Sequence, residues 1–244
     1  MSAAGREELS EQFDTQGNPA VVLGPSEERG PGASRRGERP LMIDHLIWGT
    51  NDLERGIEEI EERTGVRAAH GGKHPGLGTR NALLSLGESR YLEIIAPDPA
   101  QGNVSDLAAQ LAELEQACLM SWVARVDDME KLVVRGREHG YPIAKVSESR
   151  RKPDGTVLRW SFATVEDRGL LPDVPGFIEW GGTAHPSQDA PIGCNLVRLE
   201  IEAQHPEDVR ALLTAFRLSV DVRKGATERL KATLDTAKGR VELS

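Results

Sequence analysis

The sequence has little cysteine and no long apolar run, and both absences restrict its class. Cys118 and Cys194 are the only cysteines in 244 residues, which is too few for a disulfide framework and wrongly spaced for a zinc site. We therefore predict two reduced, buried thiols. No apolar stretch approaches the roughly 20 residues that a transmembrane helix needs. A basic region followed by an apolar segment is also missing near Met1, so a signal peptide is not predicted and we expect a cytoplasmic protein.

Basic residues are in the minority as well. The chain has 39 acidic residues against 30 lysines and arginines, which gives a formal net charge of −9. This balance argues against nucleic acid or an anionic membrane as the main partner. The hydrophobic fraction of 38% and the charged fraction of 28% are typical of a globular protein with a buried core.

Residues 1–40 differ from the rest of the chain in composition. They are rich in Gly, Glu, Ser, Pro and Arg and have no periodic apolar pattern. Such a segment buries too little apolar surface to offset the entropy lost on ordering, so we predict a disordered N-terminal tail. Met42 opens the first strand-like run, and a true start at Met42 remains an alternative.

From Met42 onward, the pattern predicts an α+β fold built of repeated βαβββ modules. MIDHLIWG is strand-like, and Leu53, Ile57 and Ile60 follow at the spacing of one helix face. Short strands follow and close on YLEII. A second copy runs from CLMSWVAR to FIEWG, which puts Glu179 under Glu93.

These repeats define the predicted domain organisation. One domain covers residues 41–190, with modules at about 43–98 and 118–182 and a connecting helix between them. Residues 191–244 supply a strand, a helix and a terminal hairpin. This segment is predicted to be a partial third βαβ-type repeat that packs on the same domain, because it is too short for every strand of the unit.

The loop HPGLGTRN groups residues that suit small-molecule recognition. Gly76 and Gly78 permit tight turns, but the lysine and following helix of a phosphate-binding P-loop are missing. We predict the lip of a cavity, with Arg80 as an anchor for an anionic group and Asn81 as a hydrogen-bonding amide. The alternative for Asn81 is that it satisfies backbone groups at a strand start.

Two glutamates sit between apolar residues in the closing strands YLEII and FIEWG. If these apolar neighbours face the helices, Glu93 and Glu179 point to the opposite face, and His45 joins them there. A carboxylate in such a place needs a metal, an arginine or a retained proton. Arginine pairing of each glutamate therefore remains an alternative to a shared site.

The order and spacing of DHLIW, KHPGLGTRNALLSLG and YLEII resemble those of the vicinal oxygen chelate superfamily, in particular its glyoxalase-like domain proteins. The resemblance implies the glyoxalase/bleomycin resistance/dihydroxybiphenyl dioxygenase-like fold, in which two modules enclose one cavity. It implies a divalent metal, Mn, Fe, Ni or Zn, held by His45, Glu93 and Glu179. Ser121 stands where superfamily enzymes often have a fourth ligand, histidine. The residues predicted to contact the ligand are His74, Thr79, Arg80, Asn81, Ser121 and His185.

Two functions follow from this resemblance and stay open. The first is a metal-dependent lyase, isomerase or dioxygenase that stabilises an enediolate-like intermediate of a small oxygenated molecule, with Glu93 or Glu179 as catalytic base. The second is a metal-free protein that binds and sequesters a small molecule, which the serine at position 121 favours. Both predict a small-molecule partner, and a monomer or a homodimer.

Overall fold

The computed structural model describes residues 42–101, 105–151 and 157–244, and only the backbone of Arg150 and Arg151. These residues all belong to one structural unit, Pro40–Ser244. The predicted disordered tail over residues 1–40 lies outside the described part of the chain. None of the helices in the described ranges has the length and hydropathy to cross a bilayer.

The elements follow the repeat. The first module contains β1 (Met42–Gly49), α1 (Leu53–Thr64), β2 (Ala69–His74), β3 (Thr79–Ser85) and β4 (Tyr91–Pro97), and α2 (Asp106–Ala112) follows it. The second module contains β5 (Cys118–Arg125), α3 (Met129–Glu138), β6 (Ile143–Arg151), β7 (Val157–Val165) and β8 (Gly176–Trp180). A short 3-10 helix (Pro186–Gln188) leads to β9 (Cys194–Ala203), α4 (Pro206–Ala215), β10 (Asp221–Lys224), β11 (Arg229–Thr236) and β12 (Gly239–Leu243).

Helix α1 starts and stops where its sequence provides the caps. The side chain of Asp52 accepts hydrogen bonds from the backbone N–H groups of Glu54 and Arg55, at 2.9 and 3.2 Å. Gly65 ends the helix in the left-handed conformation, with φ of 79°, which costs a glycine little. The apolar stripe between these caps is buried and fixes α1 against the sheet.

The two modules form one eight-stranded sheet. Its order is β2-β3-β4-β1-β5-β8-β7-β6. Within each module the opening strand pairs in parallel with the closing strand, and the modules join through the antiparallel pair β1–β5. This arrangement of helices and a mixed sheet confirms the predicted α+β fold of tandem βαβββ modules.

The carboxy-terminal segment has its own sheet. Its four strands are ordered β10-β9-β11-β12, and α4 follows β9 in the chain. The sequence predicted one strand, a helix and a terminal hairpin here, so β10 is an additional strand. It has four residues, of which only Val222 is buried, and its apolar pattern is therefore weak. The predicted boundaries of the tail, the domain and this segment remain predictions.

The eight-stranded sheet has two apolar faces of different kinds. On the core face, Leu46, Trp48, Trp122 and Phe177 belong to a large core that includes residues of the helices and of the second sheet. On the opposite face, here called the cavity face, a smaller apolar cluster contains Ile47, Ile95, Leu111, Met120, Val123 and Ile178. The candidate site lies on the cavity face.

Candidate functional site

A cavity of about 130 Å³ lies on the cavity face and is lined by both modules. Strands β1, β3 and β4 form one wall, and β6, β7 and β8 form the other. Leu107 of α2 and Leu170 also line it. The polar and aromatic lining residues are His45, His74, Thr79, Asn81, Tyr91, Glu93, Glu148, Trp160, Phe162 and Trp180.

Glu93 is the centre of the polar end of the cavity, and its residue is only 8% exposed. Its Oε1 accepts a hydrogen bond of 2.5 Å from Asn81 Nδ2. Its Oε2 lies 3.6 Å from His45 Nε2, which is longer than a hydrogen bond. His74 completes this end, with Nε2 3.8 Å from Glu93 Oε1 and Nδ1 2.8 Å from the hydroxyl of Thr79.

A β-bulge supports His45 from behind. Ile43 pairs with Ala124 and His45 pairs with Val123, so Asp44 is the extra residue in β1. The bulge places Asp44 beside His45, with Oδ1 2.8 Å from Nδ1. Regular alternation would place the carboxylate of Asp44 on the face of the strand opposite His45. The bulge turns this carboxylate toward the imidazole of His45 instead.

Asp44 is fully buried and has several partners. Its Oδ2 accepts hydrogen bonds from Arg125 Nε at 2.7 Å and from Trp180 Nε1 at 3.1 Å, and lies 3.1 Å from His185 Nε2. Burial acts to raise the pKa of Asp44, but the hydrogen bonds and charges of His185 and His45 outweigh it. The pKa of this carboxyl is therefore held well below its usual range.

The ionised state of Asp44 decides the tautomer of His45. An ionised carboxylate only accepts hydrogen bonds, so the 2.8 Å contact requires a proton on His45 Nδ1. The other ring nitrogen, Nε2, faces Glu93 Oε2. The stacked ring of Tyr91, with its centroid 4.5 Å from that of His45, fixes the plane of the imidazole.

Glu148 is a site residue that the sequence analysis missed. It pairs with Trp160 across β6 and β7, and both residues line the cavity. Burial raises the pKa of Glu148, the charge of His74 and a hydrogen bond to Trp160 lower it, and the charge of Glu93 raises it further. The signal in the sequence was weak, because Glu148 lies in the polar run SESRR rather than between apolar residues.

The predicted residues fall into two groups. His45, His74, Thr79, Asn81 and Glu93 come together at the cavity. Arg80 does not join them, since its neighbours in β3, Thr79 and Asn81, both face the cavity and successive side chains alternate. The prediction of Arg80 as an anchor in this cavity is therefore wrong.

Glu179 is the main correction to the predicted site. Ile178 and Trp180 line the cavity, so Glu179 between them points to the other face of β8. Phe177 shares that face and packs against Phe216, with ring centroids 4.9 Å apart. The apolar residues on both sides of Glu179 suit either face, and we assigned the faces the wrong way round.

Two further predicted residues lie beside the cavity rather than in its lining. The fully buried Ser121 donates its hydroxyl to the carbonyl oxygen of Leu171 at 3.3 Å. The ring of His185 meets those of Tyr91 and Trp180 edge-on, at 5.5 and 5.6 Å, and its Nε2 faces Asp44. These two side chains support the walls of the cavity.

Strand register identifies the position in the second module that corresponds to Glu93. In the antiparallel pair β1–β5, Leu46 lies opposite Trp122, and a two-fold axis through this point relates His45 to Ser121, and Ile47 to Val123. Glu93 lies opposite Ile47, and Gly176 lies opposite Val123. Gly176, and not Glu179, is therefore the counterpart of Glu93.

The predicted metal ligands do not fit a metal ion. The second module offers serine and glycine at the two places where the first offers His45 and Glu93, and Glu179 faces away. Among the residues that the structure describes, no three His, Cys, Asp or Glu side chains are grouped to hold a metal. The His45–Glu93 pair alone falls short of the three protein ligands typical of a catalytic zinc site.

Comparison with known proteins agrees with this architecture. The family model described as glyoxalase-like domain matches residues 43–216. The chain belongs to this family. The glyoxalase-like domain fold, of the vicinal oxygen chelate superfamily, thus extends over both modules and into α4. A search of curated proteins finds no significant match.

Solved structures similar to this glyoxalase-like domain include a hypothetical protein from Staphylococcus aureus. It is 13% identical, with 78% of this chain and 88% of that chain covered and a TM-score of 0.60, a likeness of fold. Methylmalonyl-CoA epimerase from Mycobacterium tuberculosis is 23% identical, with 56% of this chain and 86% of that chain covered and a TM-score of 0.42. A variant of the Streptomyces coelicolor methylmalonyl-CoA epimerase, in complex with 2-nitronate-propionyl-CoA, is 19% identical. The match covers 59% of this chain and 100% of that chain, with a TM-score of 0.43.

Proposed function

We propose that this glyoxalase-like protein binds a small organic molecule in the cavity between its two modules, without a metal held by His45, Glu93 and Glu179. The observation that carries the proposal is the composition of the lining. Apolar and aromatic walls converge on one polar end, where Glu93, His45 and Asn81 meet. Organic ligands are commonly held in this way, by apolar area for affinity and a few polar groups for orientation.

Filling the cavity is expected to abolish binding. Leu77 lines the cavity from the turn between β2 and β3, so Leu77→Trp should occupy ligand space with little strain in the strands. With 2-phenylethanol as probe, we expect at least a tenfold loss of affinity, about 1.4 kcal/mol, by isothermal titration calorimetry. The control Leu171→Trp places the same ring at an exposed position and should leave affinity unchanged. Equal binding by both variants would place the probe elsewhere and refute the proposal.

Proton transfer is a second candidate function, and one arrangement favours it. Glu93 is a carboxylate at the cavity, and His45 beside it is oriented by Asp44. A carboxylate in reach of a C–H next to a carbonyl group can abstract its proton, and an imidazole can take up or return a proton nearby. This is the isomerase or lyase alternative without the predicted metal.

Deuterium exchange tests this candidate. In D₂O, the protein should accelerate exchange of the proton next to the carbonyl of small 2-hydroxyketones, followed by mass spectrometry. Glu93→Gln should reduce this acceleration about 100-fold, the usual contribution of a general base. Glu179→Gln is the matched control, because the same change on the other face of the sheet should have no effect. No acceleration by the unmodified protein, or equal losses in both variants, would contradict proton transfer by Glu93.

A further inference from the structure

We propose that the cavity selects an organic ammonium ion, that is, an apolar or aromatic body that ends in a protonated amine. This inference rests on the proposed function and names the chemical class of its ligand. Three independent properties of the lining support it: the hydrogen-bonding capacity of its polar end, its charge, and its aromatic wall.

The polar end presents acceptors to the ligand. Glu93 presents its carboxylate oxygens there, and an ionised carboxylate only accepts hydrogen bonds. Glu148 adds a second carboxylate from the other wall of the cavity. A ligand therefore matches this end by donating hydrogen bonds, and an ammonium group has three donors to offer.

The charge of the lining also favours a cationic ligand. Glu93 and Glu148 both line the cavity. Burial raises the pKa of Glu148, and the charge of Glu93 adds to this rise. Among the described residues of the lining there is no lysine or arginine. Partly buried carboxylates are costly to keep ionised, so a bound cation would offset that cost, whereas an anion would increase it.

The opposite wall is aromatic. Trp160 and Trp180 have ring centroids 5.9 Å apart, and Phe162 lies on the same face of β7 as Trp160. Aromatic faces attract cations through their quadrupole, most strongly in tryptophan and in desolvated sites. The aromatic wall thus provides apolar contact for the body of the ligand and attraction for its charged end.

Three probes that share one body separate charge from hydrophobic contact. At pH 7 and low salt, 2-phenylethylamine is a cation, 2-phenylethanol is neutral and 3-phenylpropanoate is an anion. By isothermal titration calorimetry, we expect the amine to bind at least tenfold more tightly than the alcohol, and the carboxylate to bind most weakly. Salt should weaken binding of the amine more than that of the alcohol.

Variants locate the source of the preference. Glu148→Gln should reduce the advantage of the amine over the alcohol at least fivefold, and Glu179→Gln should leave that advantage unchanged. Equal affinities of amine and alcohol in the wild type, or a preference for the carboxylate, would overturn this inference but leave binding in the cavity intact. Failure of all three probes to bind would overturn the proposed binding function as well. The wild-type series needs no substitution, so it stands even if a variant fails to fold.

Discussion

Asp44→Asn is expected to lower the free energy of unfolding by about 3–5 kcal/mol, the usual loss when one partner of a buried charged pair is removed. Asparagine keeps the shape but removes the charge, and its amide would meet donors from Arg125 and Trp180 where the carboxylate accepts hydrogen bonds. Urea denaturation at pH 7 measures the loss. Asp235→Asn, in the exposed ion pair with Arg240, should cost less than about 1 kcal/mol.

The pH dependence of this loss provides a second readout. The pKa of Asp44 is lower in the folded chain than its ordinary value of 3.8. Its charge therefore stabilises the fold fully above that value, and the contribution declines as the pH falls below it. The difference between wild type and Asp44→Asn should shrink from about pH 5 downward. In Asp44→Asn, the nitrogen chemical shifts of His45 should also show that Nδ1 has lost its proton. Unchanged shifts would contradict the role of Asp44 in positioning His45.

Phe216→Ala is expected to cost about 3–5 kcal/mol of stability as well, because it leaves a large cavity in the main core. Phe216 is fully buried at the end of α4, and its ring meets Phe177 of β8 and Tyr141, with centroids 4.9 and 5.9 Å away. Phe216→Leu preserves more of the volume and should cost markedly less. Denaturant unfolding of both variants measures the difference. A loss below about 1 kcal/mol for alanine would show that the carboxy-terminal segment contributes little to the core around β8.

The periodic parts of the sequence predicted the fold and half of the site. In β1 and β4, strict alternation separates Leu46 and Leu92 in the core from His45 and Glu93 at the cavity, and the pattern of apolar and polar residues alone predicts this separation. The order of strands and helices was equally clear, because α1, α2 and α3 each begin at a capping Asp or Ser that is followed by an apolar stripe. Local periodicity therefore sufficed wherever one face of an element is polar and the other is apolar.

The other half of the site depends on strand register, which local sequence patterns do not reveal. Both faces of β8 are apolar, so only its pairing with β5 and β7 shows that Glu179 points away from the cavity. The bulge at Asp44 is visible only in the pairing of β1 with β5. Glu148 lies in a polar strand whose cavity face is defined by Trp160 on the neighbouring strand. Long-range pairing thus determined the chemistry of the site.

The glycine at position 176 has an evolutionary consequence. If the two modules descend from one duplicated ancestor with matching carboxylates, the second module has lost the carboxylate at position 176. Phe162 and Leu170 now occupy the space beside this position. A side chain at this position would begin 2.9 Å from Cζ of Phe162 and 3.1 Å from Cδ2 of Leu170. A single substitution to glutamate would therefore collide with the wall before it restored any symmetry. A carboxylate can return to this position only if Phe162 and Leu170 move aside or become smaller, which would disturb the wall that they form, so the difference between the two modules at this position is difficult to reverse.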